Sequence, residues 1–276
     1  MVIRIGHTAE PDDAFMYWGL ATGAVDTYGF EFEPVIEDIQ TLNEWSLEGR
    51  LEVTAMSAAT YPLVQDTYVL LPHGASIGSG YGPIVVAREP LDTERLRDIE
   101  IAVPGQMTTA FLALRLFLGS EYSYREVPFD RIICEVKEGR AEAGLLIHEG
   151  QLTYAQYGLH RVVDLGDWWE IETGLPLPLG INVARRDLGE ETLHDLSEVL
   201  RESIRAGLDN REEAMQYAMQ FGRGIDPELN DRFVGMYVNR LTQEYGDEGK
   251  QAVEELLDRA EKSGAIEHPV QIEFVA

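Results

Sequence analysis

The sequence predicts an α/β protein of two lobes with a cleft between them and a helical C-terminal tail. Three observations carry that prediction. Apolar, β-branched runs alternate with segments of helical periodicity as far as Val183. Strand signals all but vanish from Leu188 onward. Two polar crossovers, Ala87–Asp98 and Val183–Asp187, fall where a chain would leave one sheet and return to it.

Strands are expected at Val2–Ile5, Leu51–Thr54, Thr67–Leu70, Pro83–Val86, Ile99–Val103, Ala143–Ile147 and Gly180–Val183, each a short apolar run bounded by turn residues. Helices are expected at Asp13–Leu20, Ile39–Leu47, Thr108–Leu118 and Phe129–Lys137, where apolar side chains recur every three to four residues behind a Pro, Gly, Thr or Asp. Strands separated by helices imply a mostly parallel, covered sheet. The tail reads as helices at Leu188–Asn210, Arg211–Phe221, Asp226–Leu241 and Asp247–Ser263. These assignments place one lobe at 1–92 plus 187–276 and the other at 93–186.

In 276 residues, 22 Lys and Arg face 49 Asp and Glu, a net charge of −27. No basic run of even four residues occurs, which excludes a general nucleic-acid binder, since such proteins neutralise phosphates with clustered cations. No stretch of ~18 apolar residues suggests a membrane span, and no apolar leader precedes a small-residue cleavage site. A cytoplasmic protein, monomeric or homodimeric, is expected. Lys137, Lys250 and Lys262 are the only lysines, and an acidic, lysine-poor surface suits high ionic strength.

Chemistry concentrates at strand ends. An apolar run, Gly144–Ile147, stops at His148-Glu149-Gly150. With an unperturbed pKa of about 6.5, His148 can serve as a base, or it simply caps the strand; Glu149 either orients it or opens a helix. Pro104-Gly105-Gln106-Met107-Thr108-Thr109-Ala110 is a strand-to-helix turn whose amides and hydroxyls can receive a carboxylate or phosphate, or form an ordinary cap. Ser57-Ala58-Ala59-Thr60 offers hydroxyls after another strand. In His7–Phe15, Asp12 or Asp13 caps the next helix and one can also bind a hydroxyl. The glycine-rich Gly74–Pro83 precedes a strand, so it fits neither dinucleotide nor phosphate-loop geometry; Ser79 and Tyr81 are its possible cleft contacts. No HExxH or EF-hand spacing occurs, and no metal site is expected. Trp168-Trp169 and lone Cys134 are expected in the core.

Taken together, Glu37–Asn43, the Ser57 segment, Gly80-Tyr81-Gly82-Pro83, Ala102–Gly105 with Thr108-Thr109, Ala143–Tyr154 and Val163–Gly180 resemble the menaquinone-biosynthesis proteins of the futalosine route, nearly end to end. The resemblance is closest to the branch that converts cyclic dehypoxanthine futalosine to 1,4-dihydroxy-6-naphthoate. It implies a periplasmic-binding-protein-like type II fold serving as a cytoplasmic enzyme on a small carboxylate substrate. It implies His148 as the base of an elimination driven by aromatisation, without redox cofactor or metal. Ser57, Thr108 and Thr109 would hold the substrate, with Asp13, Ser79 and Tyr154 as further contacts. His7–Phe15 departs from the family pattern, placing extra carboxylates at Glu10 and Asp12 that would repel an acidic substrate or select another. A sister activity, dehydration of chorismate, is disfavoured by His148-Glu149-Gly150. A non-enzymatic small-molecule sensor of the same fold is favoured by the altered loop.

Overall fold

The computed structural model describes residues 1–221 and 226–276. The chain opens with β1 (Val2–His7), α1 (Pro11–Met16), α2 (Trp18–Thr22), β2 (Glu31–Ile36), α3 (Ile39–Ser46), β3 (Val53–Ser57), α4 (Tyr61–Val64), β4 (Tyr68–Leu70) and β5 (Ser76–Gly78). Its middle holds β6 (Ile84–Ala87), β7 (Glu100–Val103), α5 (Thr109–Leu118), β8 (Ser123–Glu126), α6 (Ile132–Lys137), β9 (Ala143–Leu146), α7 (Gly150–Thr153), β10 (His160–Asp164), α8 (Leu165–Thr173) and β11 (Leu177–Arg185). The tail contributes α9 (Glu190–Asp209), α10 (Arg211–Ala218), α11 (Pro227–Tyr237), α12 (Arg240–Gln243) and α13 (Gly246–Lys262).

Helix starts follow local chemistry. Asp38 accepts from the Gln40 and Thr41 amides ahead of α3, Thr108 from Phe111 in α5, and Asp164 from Gly166 and Asp167 in α8. Pro11 and Pro227 stand at first helical positions, where a missing N–H costs nothing. The expected Asp226–Leu241 helix breaks after Tyr237, because Asn239 starts α12 with a capping box to Thr242.

Two sheets result. One has the order β2-β1-β3-β11-β4 with β5 also on β11; the other runs β10-β6-β9-β7-β8. Both are mixed, which corrects the expectation of a mostly parallel sheet. β1 lies parallel to β2 and β3, and β7 to β8 and β9, but the strands flanking the crossovers, β6 and β11, pair antiparallel with every neighbour. Sheet membership also moves the lobe boundaries. β6 belongs to the second sheet and β11 to the first, so the chain crosses between β5 and β6 and again between β10 and β11, not at 92/93 and 186/187. The polar stretch after Ala87 links two strands of one sheet.

One apolar core joins the lobes. Met56, Ile181 and Val183 of the first sheet share it with Val85, Ile101 and Leu145 of the second, and Leu256 and Leu257 of α13 close over it beside α5. After α13 the chain returns to the first sheet, where Leu70 pairs with Phe274 in parallel register and extends the β4 edge. In α6, Ile132 and Val136 are buried one turn apart, so Cys134, two positions on from Ile132, faces outward and is exposed; the expectation of a buried cysteine is corrected. Trp169 is fully buried and Trp168 packs against the same core.

Candidate active site

A cleft of about 690 Å³, a volume that includes the solvent at its open side, lies between the sheets. The first sheet supplies Ala55, Met56 and Ser57 from β3, Ser76 from β5 and Leu179–Asn182 from β11. The second lobe supplies Thr108, Thr109 and Ala110 at the start of α5, then Ile147 and His148 after β9 and Gln151 in α7. Thr8, Asp12 and Asp13 close one side, and Phe233 and Tyr237 of α11 another. His148, Asp13, Ser57, Thr108 and Thr109 of the sequence-derived set therefore share one cavity. Ser79 is exposed in the β5–β6 loop and Tyr154 packs beneath α6, so neither is part of its lining.

Each expected contact has its own hydrogen-bond duties. Asn43 grips Ser57 twice: its Oδ1 accepts from the Ser57 amide (2.8 Å) and its Nδ2 donates to Ser57 Oγ (3.0 Å). That pairing leaves the serine O–H to donate elsewhere. Thr108 Oγ1 donates to the Gly105 carbonyl (2.7 Å) and accepts from Phe111 N–H (3.2 Å). Thr109 Oγ1 donates to the Leu179 carbonyl (2.6 Å) and accepts from Ala59 N–H (3.2 Å), which stitches α5 to the other lobe. Both threonine hydroxyls are thus engaged within the protein. What α5 presents to the cavity is its first turn of backbone amides, at Thr109 and Ala110, with the positive end of the helix dipole behind them.

His148 sits where β9 has ended and α7 has not begun, in the left-handed region at φ 52°. A histidine there costs about 1–2 kcal/mol of backbone strain, the kind of cost retained where a side chain must be aimed. Its ring meets the edge of Phe129 with centroids 4.9 Å apart. Gln151 holds the backbone: with its amide oriented to satisfy both ends, its oxygen accepts from His148 N–H at 3.2 Å and its nitrogen donates to the Gly82 carbonyl at 2.5 Å. Tyr237 Oη lies within hydrogen-bond distance of the same amide (2.8 Å), and burial pushes that phenol's pKa up.

On the opposite side, Asp13 Oδ2 accepts from both the amide and the hydroxyl of Thr8, at 2.7 and 2.8 Å. Asp12 is 6 % exposed; Ser76 donates to its Oδ2 at a long 3.3 Å, and its Oδ1 has no partner. Burial, and then the neighbouring Asp13 carboxyl, push Asp12 up to about 7. Among the described residues no group of three or more His, Cys, Asp or Glu is placed to hold a metal. Asn43, Gln151 and Asp12 lay in segments already singled out by sequence. Asn182, Phe233 and Tyr237 carried no local signal, since they reach the cavity only through β11 and the packing of α11.

The comparisons agree with this architecture. A family model for menaquinone biosynthesis matches residues 3–262. A Thermus thermophilus protein named 1,4-dihydroxy-6-naphthoate synthase is 45% identical over 262 residues, 95% of each chain. A Streptomyces coelicolor protein of the same name is 38% identical over 269 residues, 96% of this chain and 94% of the other. The X-ray structure of an Archaeoglobus fulgidus protein superposes with a TM-score of 0.91 at 47% identity, covering 96% of this chain and 98% of that one. At 11% identity, the periplasmic aliphatic sulphonate binding protein of Escherichia coli still gives a TM-score of 0.71 over 98% of this chain and 90% of its own, and so shares the periplasmic-binding-protein-like fold. With its family model matched over nearly its whole length, the chain belongs to the menaquinone biosynthesis family.

Proposed function

We propose that the protein is a cytoplasmic lyase that converts cyclic dehypoxanthine futalosine to 1,4-dihydroxy-6-naphthoate. The observation that carries this reading is the near full-length identity to two relatives named for that product. The cavity supports it, because a histidine and a helix N-terminus both line it. The α5 amides and the Ser57 hydroxyl receive the substrate carboxylate, where the helix dipole offsets the repulsion of a −27 protein. His148 takes a proton from the ring system. The released electron pair then expels the sugar-derived fragment and completes the aromatic ring. The φ of 52° and the Gln151 hydrogen bond fix the His148 backbone from which the imidazole is carried.

The test is turnover of cyclic dehypoxanthine futalosine, followed by the naphthoate's absorbance in low and high salt. Wild type forms product, and His148→Ala loses roughly 10²–10⁴-fold in kcat while still binding substrate. No product from wild type in either salt refutes the assignment.

A further inference from the structure

The cavity contains a group that the elimination does not use. Asp12 is buried on α1, and among the described residues it makes no salt bridge. Among the described residues its one side-chain donor is Ser76, at 3.3 Å, and Oδ1 is enclosed with no hydrogen-bond partner, although the residue lines the cavity. Two adjacent buried carboxyls cannot both be ionised cheaply. Asp13 accepts two short hydrogen bonds from Thr8, whereas Asp12 has, besides the amides of its own turn, a single long side-chain donor. We propose that Asp12 is a specificity-determining residue, whose carboxyl shares a proton with an oxygen of the carboxylate molecule in the cavity. The inference rests on the cavity being the substrate site proposed above.

The chemical consequence is selection by charge and by pH. While Asp12 keeps its proton, the acidic wall carries a donor, and an anion can sit against it. Once it ionises, the wall gains a negative charge and repels that anion. Among the described residues, no arginine or lysine stands among the groups that act on its carboxyl. Glu10 and Asp13 share its turn, Tyr17 follows on the same segment, and Tyr237 faces it from α11. Arg211 of α10 lies over the Phe15 ring and pairs with Asp231. His148 lines the same cavity. Burial and Asp13 hold the Asp12 proton up to about 7.

Two measurements test this. Infrared titration of the ligand-free protein is expected to show the C=O stretch of a protonated carboxyl at about pH 6, lost with a midpoint near 7 and missing from Asp12→Asn. Calorimetric binding of 2-naphthoate is expected to weaken about tenfold per unit above about pH 7 in wild type. In Asp12→Asn, which keeps a donor that cannot ionise, that slope disappears; in Asp12→Leu the affinity is about tenfold lower already at pH 6. Absence of the band, no naphthoate binding at any pH, or an unchanged slope in Asp12→Asn overturns the proposal. The turnover assay stays separate: a protein with the band and the slope but no naphthoate synthesis keeps Asp12's role and loses the enzymatic assignment.

Discussion

His73 shows how a single buried residue can be read through its proton. It is 1 % exposed, with Nε2 3.0 Å from Ser197 Oγ, and burial with the nearby Arg201 charge drives it down to about 3. Its folded-state value lies below the unfolded one, so the neutral form is the folded form. Stability is intact above about pH 6.5 and lost as the pH falls below it, by up to about 1.4 kcal/mol per unit. Asp12 works in the opposite direction: its folded value is raised, so its contribution is present at low pH and lost as the pH climbs toward 7. Urea unfolding from pH 7 to 5 is therefore expected to show a steeper loss in Asp12→Asn than in wild type, and a shallower one in His73→Gln. Identical slopes in all three would contradict these assignments. The same scale explains what was readable of the site. His148, Asp13, Ser57, Thr108 and Thr109 follow strand ends in the sequence, and strand ends are where this fold opens its cavity. The duties of the threonine hydroxyls were not readable, because their acceptors, Gly105 and Leu179, are fixed by tertiary packing.

Among elements, legibility followed burial. The strands read from sequence, such as β3, β6 and β9, are buried at every residue. The four that escaped, β2, β5, β8 and β10, are edge strands or, like β5, have a single partner. An edge strand wets one side and tolerates residues such as Pro34 or the polar run Ser123–Glu126, so the apolar signal fades. The Asp38 and Thr108 caps made α3 and α5 readable, whereas α8, capped by Asp164, escaped. The start of α8 shows how closely elements are fitted at the second crossover. A Cβ added at Gly166 would run into the Tyr81 carbonyl and the Gly82 amide, both backbone and unable to swing aside. At Gly150 of α7, the nearest atoms would be side chains at 3.5 Å or more, ordinary contact. Gly166→Ala should accordingly cost about 1–3 kcal/mol in thermal or urea unfolding, while Gly150→Ala leaves stability unchanged or slightly higher. Equal midpoints for the two variants would show that the α8 junction has slack.

For the whole molecule the dominant fact is electrostatic: 49 acidic against 22 basic side chains leave 27 carboxylates without a cation. The arginines are largely used locally, as in Arg125 with Glu100 and Glu135, or Arg185 with Glu52 and Asp187. Such exposed pairs contribute about 0–1 kcal/mol each, and salt weakens them. Salt also screens the surplus negative charge, whose repulsion acts over the whole surface and opposes the compact state. With 27 unmatched charges the second effect is the larger. The midpoint of thermal unfolding should rise between about 0.1 M and about 2 M sodium chloride, by roughly 3–6 °C for a gain of ~1–2 kcal/mol. Because one apolar core spans both sheets, the rise should appear in a single transition, with tryptophan fluorescence and circular dichroism giving the same midpoint. Chloride is the informative salt, since sulfate would strengthen apolar burial in a protein of any charge. A midpoint that falls with chloride would mean that the local arginine pairs outweigh the net field.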